Sequence, residues 1–177
     1  MKKTAPEADE RLLVLFRHAQ AGDPERFARE QGRPDHERPL TSEGRARNRA
    51  AALGMRRILR QVDHLWSSPY LRARQTADGI AQAFGIPMNA PEDLEPPWKP
   101  AVLARWLSTR VQPGETAVLV GHEPDLSLLV GFWLGVRGAR PVPMEKGSAC
   151  ALRVTGEIAP GQVELLWKLP QHALRRL

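Results

Sequence analysis

Leu12-Leu13-Val14-Leu15-Phe16-Arg17-His18 is the stretch that decides the reading of this chain. Five consecutive apolar residues suit a strand buried on both faces of a sheet, and the run ends abruptly in a guanidinium and an imidazole. In open α/β sheets, ligands gather outside the carboxyl ends of the strands, so Arg17 and His18 stand where such folds do their chemistry.

Residues 19–39, which follow, contain Gly22, Pro24, Gly32, Pro34 and Pro39 and read as a long polar connection over that face. Thr41 or Ser42 caps a helix running to about Arg60, with Glu43 in its first turn. Val62 to Trp66 reads as a second strand. Leu71 to Phe84 reads as a helix with Ala73, Thr76, Ala77, Ile80 and Phe84 on one face and Gly85 as its C-cap. After a Pro-rich connection, Pro100 starts a helix, Thr116 to Val120 makes a third strand, and another helix starts at Pro124. Ser148 to Val154 and Gln162 to Leu169 close the chain as a pair of strands. The alternation predicts an α/β fold: one domain, a three-layer α/β/α sandwich with a mostly parallel central sheet. Residues 1–10 are expected to be a flexible leader and 11–177 the folded domain.

Composition narrows the function classes. The chain has 177 residues, 42% of them hydrophobic, enough for one full core. The apolar stretch Leu126 to Val136 is well short of the roughly 20 residues that span a bilayer, and the N-terminus turns acidic before any apolar segment appears. Cys150 is the only cysteine, so no internal disulfide or cysteine cage for a metal can form, which fits a reducing cytoplasm. The net charge of +6 rests on 21 arginines and five lysines. Arg45, Arg49, Arg56 and Arg60 line one helical stripe, read as a solvated face. No groove-reading or base-stacking motif accompanies them, so neither specific nucleic-acid binding nor a membrane partner is expected.

Three strand-then-turn units end in polar residues: Arg17-His18, Ser67-Ser68-Pro69 with Arg72 on the next helix, and Gly121-His122-Glu123-Pro124. If the strands are neighbours, two arginines and two histidines meet at one sheet edge. That set suits a phosphoryl group. Guanidinium forks at Arg17 and Arg72 bind phosphate oxygens in pairs and offset transition-state charge. They also disfavour protonation of His18, whose neutral ring can attack phosphorus if a backbone carbonyl holds its other nitrogen. His122 is placed to donate to phosphoryl oxygens. Arg72 and Arg74 are about 200° apart on a helix, and Arg72 is assigned to the pocket. Cations beside both histidines argue against a metal site. His36, His64 and His172 receive no role, the five tryptophans read as packing residues, with Trp98 in the Pro-rich connection also placed to edge a substrate opening, and Ser67 and Ser68 read as groups that satisfy backbone at the strand end.

Arg17-His18-Ala19, Ser68-Pro69-Tyr70-Leu71-Arg72-Ala73-Arg74-Gln75-Thr76 and Gly121-His122-Glu123-Pro124, together with Arg38-Pro39-Leu40-Thr41-Ser42-Glu43-Gly44 and Lys146-Gly147-Ser148-Ala149, resemble the histidine phosphatase superfamily, of phosphoglycerate mutase-like fold. The small size resembles its SixA-like phosphohistidine phosphatase branch. The resemblance implies that His18 is the nucleophile and is transiently phosphorylated, that Arg17, Arg72 and His122 form the phosphate pocket, and that no metal or other cofactor is needed. Ala19 departs from the glycine of many members, which matters only if the turn needs positive φ. Larger members place a glutamate after the second strand–helix unit, where this chain has Glu92, Asp93 and Glu95 as candidate general acids or as solvated loop charges. The expected partner is a phosphorylated protein of the histidine phosphotransfer type, with inorganic phosphate as product. The alternatives are a phosphatase of small phosphomonoesters or phosphosugars, and a phosphate-binding module without turnover.

Overall fold

The computed structural model describes residues 3–136 and 142–177; of the predicted leader, residues 1 and 2 lie outside this range. Among the described residues five strands form one sheet: β1 (Glu10–Arg17), β2 (His64–Ser67), β3 (Thr116–Gly121), β4 (Ala149–Thr155) and β5 (Val163–Leu169), in the order β2-β3-β1-β4-β5. β1 and β2 both pair with β3 in parallel, whereas β4 is antiparallel to β1 and to β5. The sheet is therefore mixed, and β4 alone of the five runs against the rest.

Alternation along β1 divides the core. Leu12, Val14 and Phe16 face α2 (Ser42–Ile58), α3 (Leu71–Phe84) and α6 (Gln171–Leu174), packing with Met55, Ala77, Ile80 and Leu174. Leu13 and Leu15 face α4 (Pro100–Ser108) and α5 (Asp125–Trp133), packing with Leu103, Leu107, Leu129 and Trp133. Both side-chain sets are apolar because both faces of the strand are covered, which gives the three-layer α/β/α sandwich. Thr41 caps α2 by accepting from the Gly44 N–H at 2.9 Å, and Gly85 ends α3 at φ +70°.

The 19–39 connection is not irregular throughout. It contains α1 (Pro24–Gln31) and a 3₁₀ turn at Asp35–Glu37. Asp23 accepts from the Arg26 N–H at 2.8 Å, Pro24 opens the helix and Gly32 closes it at φ +62°. No residue of α1 is buried, and with Phe27 and Ala28 as its apolar side chains after Pro24 it is too polar to announce a core-facing stripe, although an Asp-Pro start and a glycine stop are both present in the sequence. Within the segment read as a leader, Thr4 bridges to Leu59, and its hydroxyl accepts from the Trp167 indole at 3.3 Å. The arginines of the α2 stripe are all exposed, and Arg60 lies beyond the helix end. No helix of the described residues is long and apolar enough to cross a membrane.

Candidate active site

Because β2, β3 and β1 are parallel neighbours, their carboxyl ends share one edge. Arg17 lies opposite Gly121 and Ser67 opposite Val120, so Arg17-His18, Ser67-Ser68 and His122 come together. The backbone ties them: the His18 N–H donates to the Gly121 carbonyl and the Arg17 N–H to the Ser148 carbonyl, each at 3.0 Å. Arg17 Nη1 donates to the Met144 carbonyl at 2.7 Å. Thr76 joins the first unit to the second, since its hydroxyl donates to the Arg72 carbonyl at 2.7 Å and accepts from the Ala19 N–H at 3.0 Å. No non-glycine residue described has positive φ, so alanine at position 19 is unstrained.

The two histidine rings lie 5.1 Å apart. His18, His122 and Arg72 are each 6% exposed, whereas Arg74 is exposed. His18 Nδ1 sits 2.8 Å from the Ala19 carbonyl oxygen. A carbonyl only accepts, so Nδ1 carries the proton and Nε2 keeps its lone pair. Burial lowers the His18 pKa to about 3; the Ala19 carbonyl opposes this, and His122, Arg72 and Arg17 reinforce it. His122 is likewise held at about 3, by burial first and then by Arg72, with Arg17 and Arg38 adding and Asp35 opposing. The N-terminal end of α5, which begins three residues on, also disfavours an imidazolium there.

Ser68, read from the sequence only as a backbone-satisfying residue, sets the tautomer of His122. Its hydroxyl oxygen accepts from the Tyr70 N–H at 3.3 Å and lies 2.9 Å from His122 Nε2. Ser68 is fully buried, and a buried hydroxyl proton needs an acceptor, which His122 Nε2 supplies. The neutral ring then carries its proton on Nδ1, a buried atom without a protein partner. It is available as a donor to an oxyanion.

Two more residues enter from the 19–39 connection. Arg38, 8% exposed, donates through Nε to Asp35 Oδ1 at 2.7 Å and through Nη1 to the Gly22 carbonyl at 2.6 Å. Arg72 Nη1 meets the Asp35 carbonyl at 2.9 Å and its carboxylate at 3.1 Å, and the Tyr70 ring lies 5.1 Å from the Arg72 guanidinium. The Asp35-x-x-Arg38 spacing was the signal for that pair; nothing local pointed either residue at Arg72. Below the site, Trp98 packs on Gly121, where a Cβ would come within 2.4 Å of its ring. The Trp98 backbone N–H donates to the buried Asp125 at 2.9 Å.

None of the three candidate acids is hydrogen-bonded to Arg17, His18, Arg72 or His122. Glu92, Asp93 and Glu95 are exposed, and Asp93 accepts from the Trp106 indole at 3.2 Å. Among the described residues no group of three or more His, Cys, Asp or Glu side chains is arranged to hold a metal ion. The cluster offers an unprotonated imidazole nitrogen, guanidinium donors and a second imidazole N–H, groups whose chemistry suits a phosphoryl ligand.

The model of the histidine phosphatase superfamily (branch 1) matches residues 13–95, a span that includes Arg17, His18 and Arg72. An uncharacterized protein of Picosynechococcus sp. strain PCC 7002 is 34% identical over 116 residues, 64% of this chain and 67% of that protein. Among solved structures, the fold is similar to the protein histidine phosphatase SixA complexed with tungstate (TM-score 0.75, 18% identity, 92% of this chain and 99% of that one). It is also similar to mycobacterial glucosyl-3-phosphoglycerate phosphatase (TM-score 0.66, 18% identity, 89% and 97%).

Proposed function

This chain belongs to the histidine phosphatase superfamily, and on that premise we propose that it is a phosphatase working through a covalent phosphohistidine on His18, with phosphohistidine in a phosphotransfer protein as its substrate. The observation that carries the reading is the 2.8 Å contact from His18 Nδ1 to the Ala19 carbonyl, which leaves Nε2 unprotonated beside Arg17, Arg72 and His122. Nε2 attacks phosphorus while Arg17 and Arg72 neutralise the phosphoryl oxygens and His122 Nδ1–H donates to one of them. The leaving group departs on the far side, water then attacks the phosphoryl-His18, and inorganic phosphate is released with His18 neutral again.

A protein substrate is supported by the carboxylate that does stand at the clamp, Asp35, which Arg38 and Arg72 hold ionised and so without a proton for a leaving alkoxide. A phosphomonoester needs a proton for its alkoxide, whereas phosphohistidine has a better leaving group. SixA is solved with tungstate, a tetrahedral oxyanion that a pocket of this donor set suits. The single, buried Cys150 supports a reducing cytoplasm as the working compartment.

The test is a rapid-quench assay comparing a phosphohistidine-bearing phosphotransfer protein with a panel of small phosphate esters, trapping acid-labile, alkali-stable phosphate on the enzyme. Label on His18, absent in His18→Ala, with preference for the protein is expected. Label with preference for a small ester moves the substrate to phosphomonoesters, and absence of both label and turnover leaves a phosphate-binding module.

A further inference from the structure

Asp35 places a carboxylate on the solvent side of the phosphate clamp. Its side chain is 48% exposed, whereas that of Arg72, which it meets at 3.1 Å, is 8% exposed. Arg72 therefore turns Nη1 outward to Asp35, while its Nε is buried without a protein partner and remains for the phosphoryl oxygens. Arg38, locked to Gly22 and Asp35, fixes the carboxylate in place. Burial alone would raise the Asp35 pKa, but the guanidiniums of Arg38 and Arg72 outweigh it and hold the group below its ordinary value. The carboxylate is anionic at neutral pH.

We propose that Asp35 is a specificity-determining residue that accepts a hydrogen bond from the leaving imidazole of a phosphohistidine and thereby selects phosphoramidates over phosphate esters. The inference rests on the phosphatase reading above. His18 is buried and Asp35 half exposed, so in-line attack by Nε2 is assigned a leaving group that departs on the Asp35 side. In a phosphohistidine whose second ring nitrogen is protonated, the new N–P bond to His18 forms as the old one breaks. The released electron pair returns to the substrate ring, which leaves as neutral imidazole. An anion accepting from that second N–H holds the ring in the protonated form that leaves readily. An ester gains nothing there: its departing oxygen builds negative charge, and an ionised carboxylate has no proton to give and repels it.

Two rings furnish the rest of the recess. Tyr70 lies 5.0 Å from His122 and 6.0 Å from His36, tilted to both. They form an aromatic rim on which a substrate imidazole can pack between the clamp and solvent. Asp35 and His36 are adjacent in one 3₁₀ turn, so a single short element brings both the acceptor and part of the rim.

The experiment is single-turnover labelling of His18 in the full-length protein from two small probes, N-phosphoimidazole and phenyl phosphate, in wild type, Asp35→Asn and Asp35→Glu. The phosphoramidate-to-ester rate ratio is expected to fall about tenfold in Asp35→Asn, as for one charged hydrogen bond lost, and to recover in large part in Asp35→Glu. A role confined to holding Arg72 and Arg38 lowers both rates together, so an unchanged ratio overturns the assignment. Absence of label on wild-type His18 from either probe overturns the phosphatase reading along with it, and label with an unchanged ratio overturns the role of Asp35 alone.

Discussion

Acidification from about pH 7.5 to about pH 5 is expected to destabilise this fold through two side chains in particular. His18 and His122 are each held near 3 against an ordinary 6.5. As pH falls through 6.5 the unfolded chain takes a proton on each ring, while the folded chain takes none until about 3. The unfolded state therefore binds more protons across that window, and the stability present above 6.5 is lost progressively on the way down. At about pH 5 the difference is about 1.5 pH units of proton binding, or about 2 kcal/mol per histidine and about 4 for both. That is a large share of the about 5–15 kcal/mol that holds a domain of this kind together. The assay is urea unfolding at both pH values in phosphate-free buffer, since a bound dianion would favour a protonated His122. Wild type is compared with a His18→Gln/His122→Gln double variant and with each single variant. Carboxylates such as Asp35 and Glu145, whose pKa values lie below the ordinary carboxylate range, are common to all four proteins and cancel. Wild type should lose about 4 kcal/mol more than the double variant, with each single variant about midway. Equal pH dependence in wild type and double variant refutes the argument that burial beside the arginines keeps both rings neutral.

Ser68→Ala removes the hydroxyl that fills His122 Nε2; the His122 tautomer seen by nitrogen NMR should become mixed, and the rate of His18 phosphorylation should drop about tenfold, the worth of one misplaced donor. Ser68→Thr should restore both, and an unchanged tautomer with an unchanged rate would sink the role given to Ser68. Gly121→Ala drives a Cβ to 2.4 Å from the Trp98 ring, so Trp98 must shift, with a loss of about 1–3 kcal/mol in denaturant unfolding and altered tryptophan fluorescence; wild-type stability and spectrum would show that the contact relaxes freely.

Much of the architecture was legible because it is written locally. The apolar run at Leu12–Phe16 marks a strand covered on both faces, and Gly85 after Phe84 marks the end of α3 where the structure ends it. Thr41 declares itself as a cap through the Gly44 N–H. The helix at Pro24–Gln31 is hard to see in the sequence because it is short and polar and none of its residues is buried, so Phe27 and Ala28 are too few to mark a core-facing stripe and its two end signals carry the reading. The strand and helix alternation predicts a mostly parallel sheet, and four strands do share one direction, but β4 enters antiparallel to both β1 and β5. Pairing order is a property of the folded sheet that no strand's own residues encode.

Fold class and the nomination of Arg17, His18, Arg72 and His122 came from local pattern, because each stands at or just after the end of a strand or in the first turn of a helix and its polar side chain interrupts an apolar run. How those groups stand to one another depends on the folded chain. The 5.1 Å between the histidine rings, the unprotonated Nε2 of His18, the hydroxyl of Ser68 on His122 and the carboxylate of Asp35 on Arg72 all depend on segments far apart in the chain. Hydrogen bonds form only within a few ångströms, and a pKa shift depends on the charges, hydrogen bonds and desolvation that packing brings to a group. Such quantities come into being only when β2, β3 and β1 bring their ends to one edge and the 19–39 connection folds back across it.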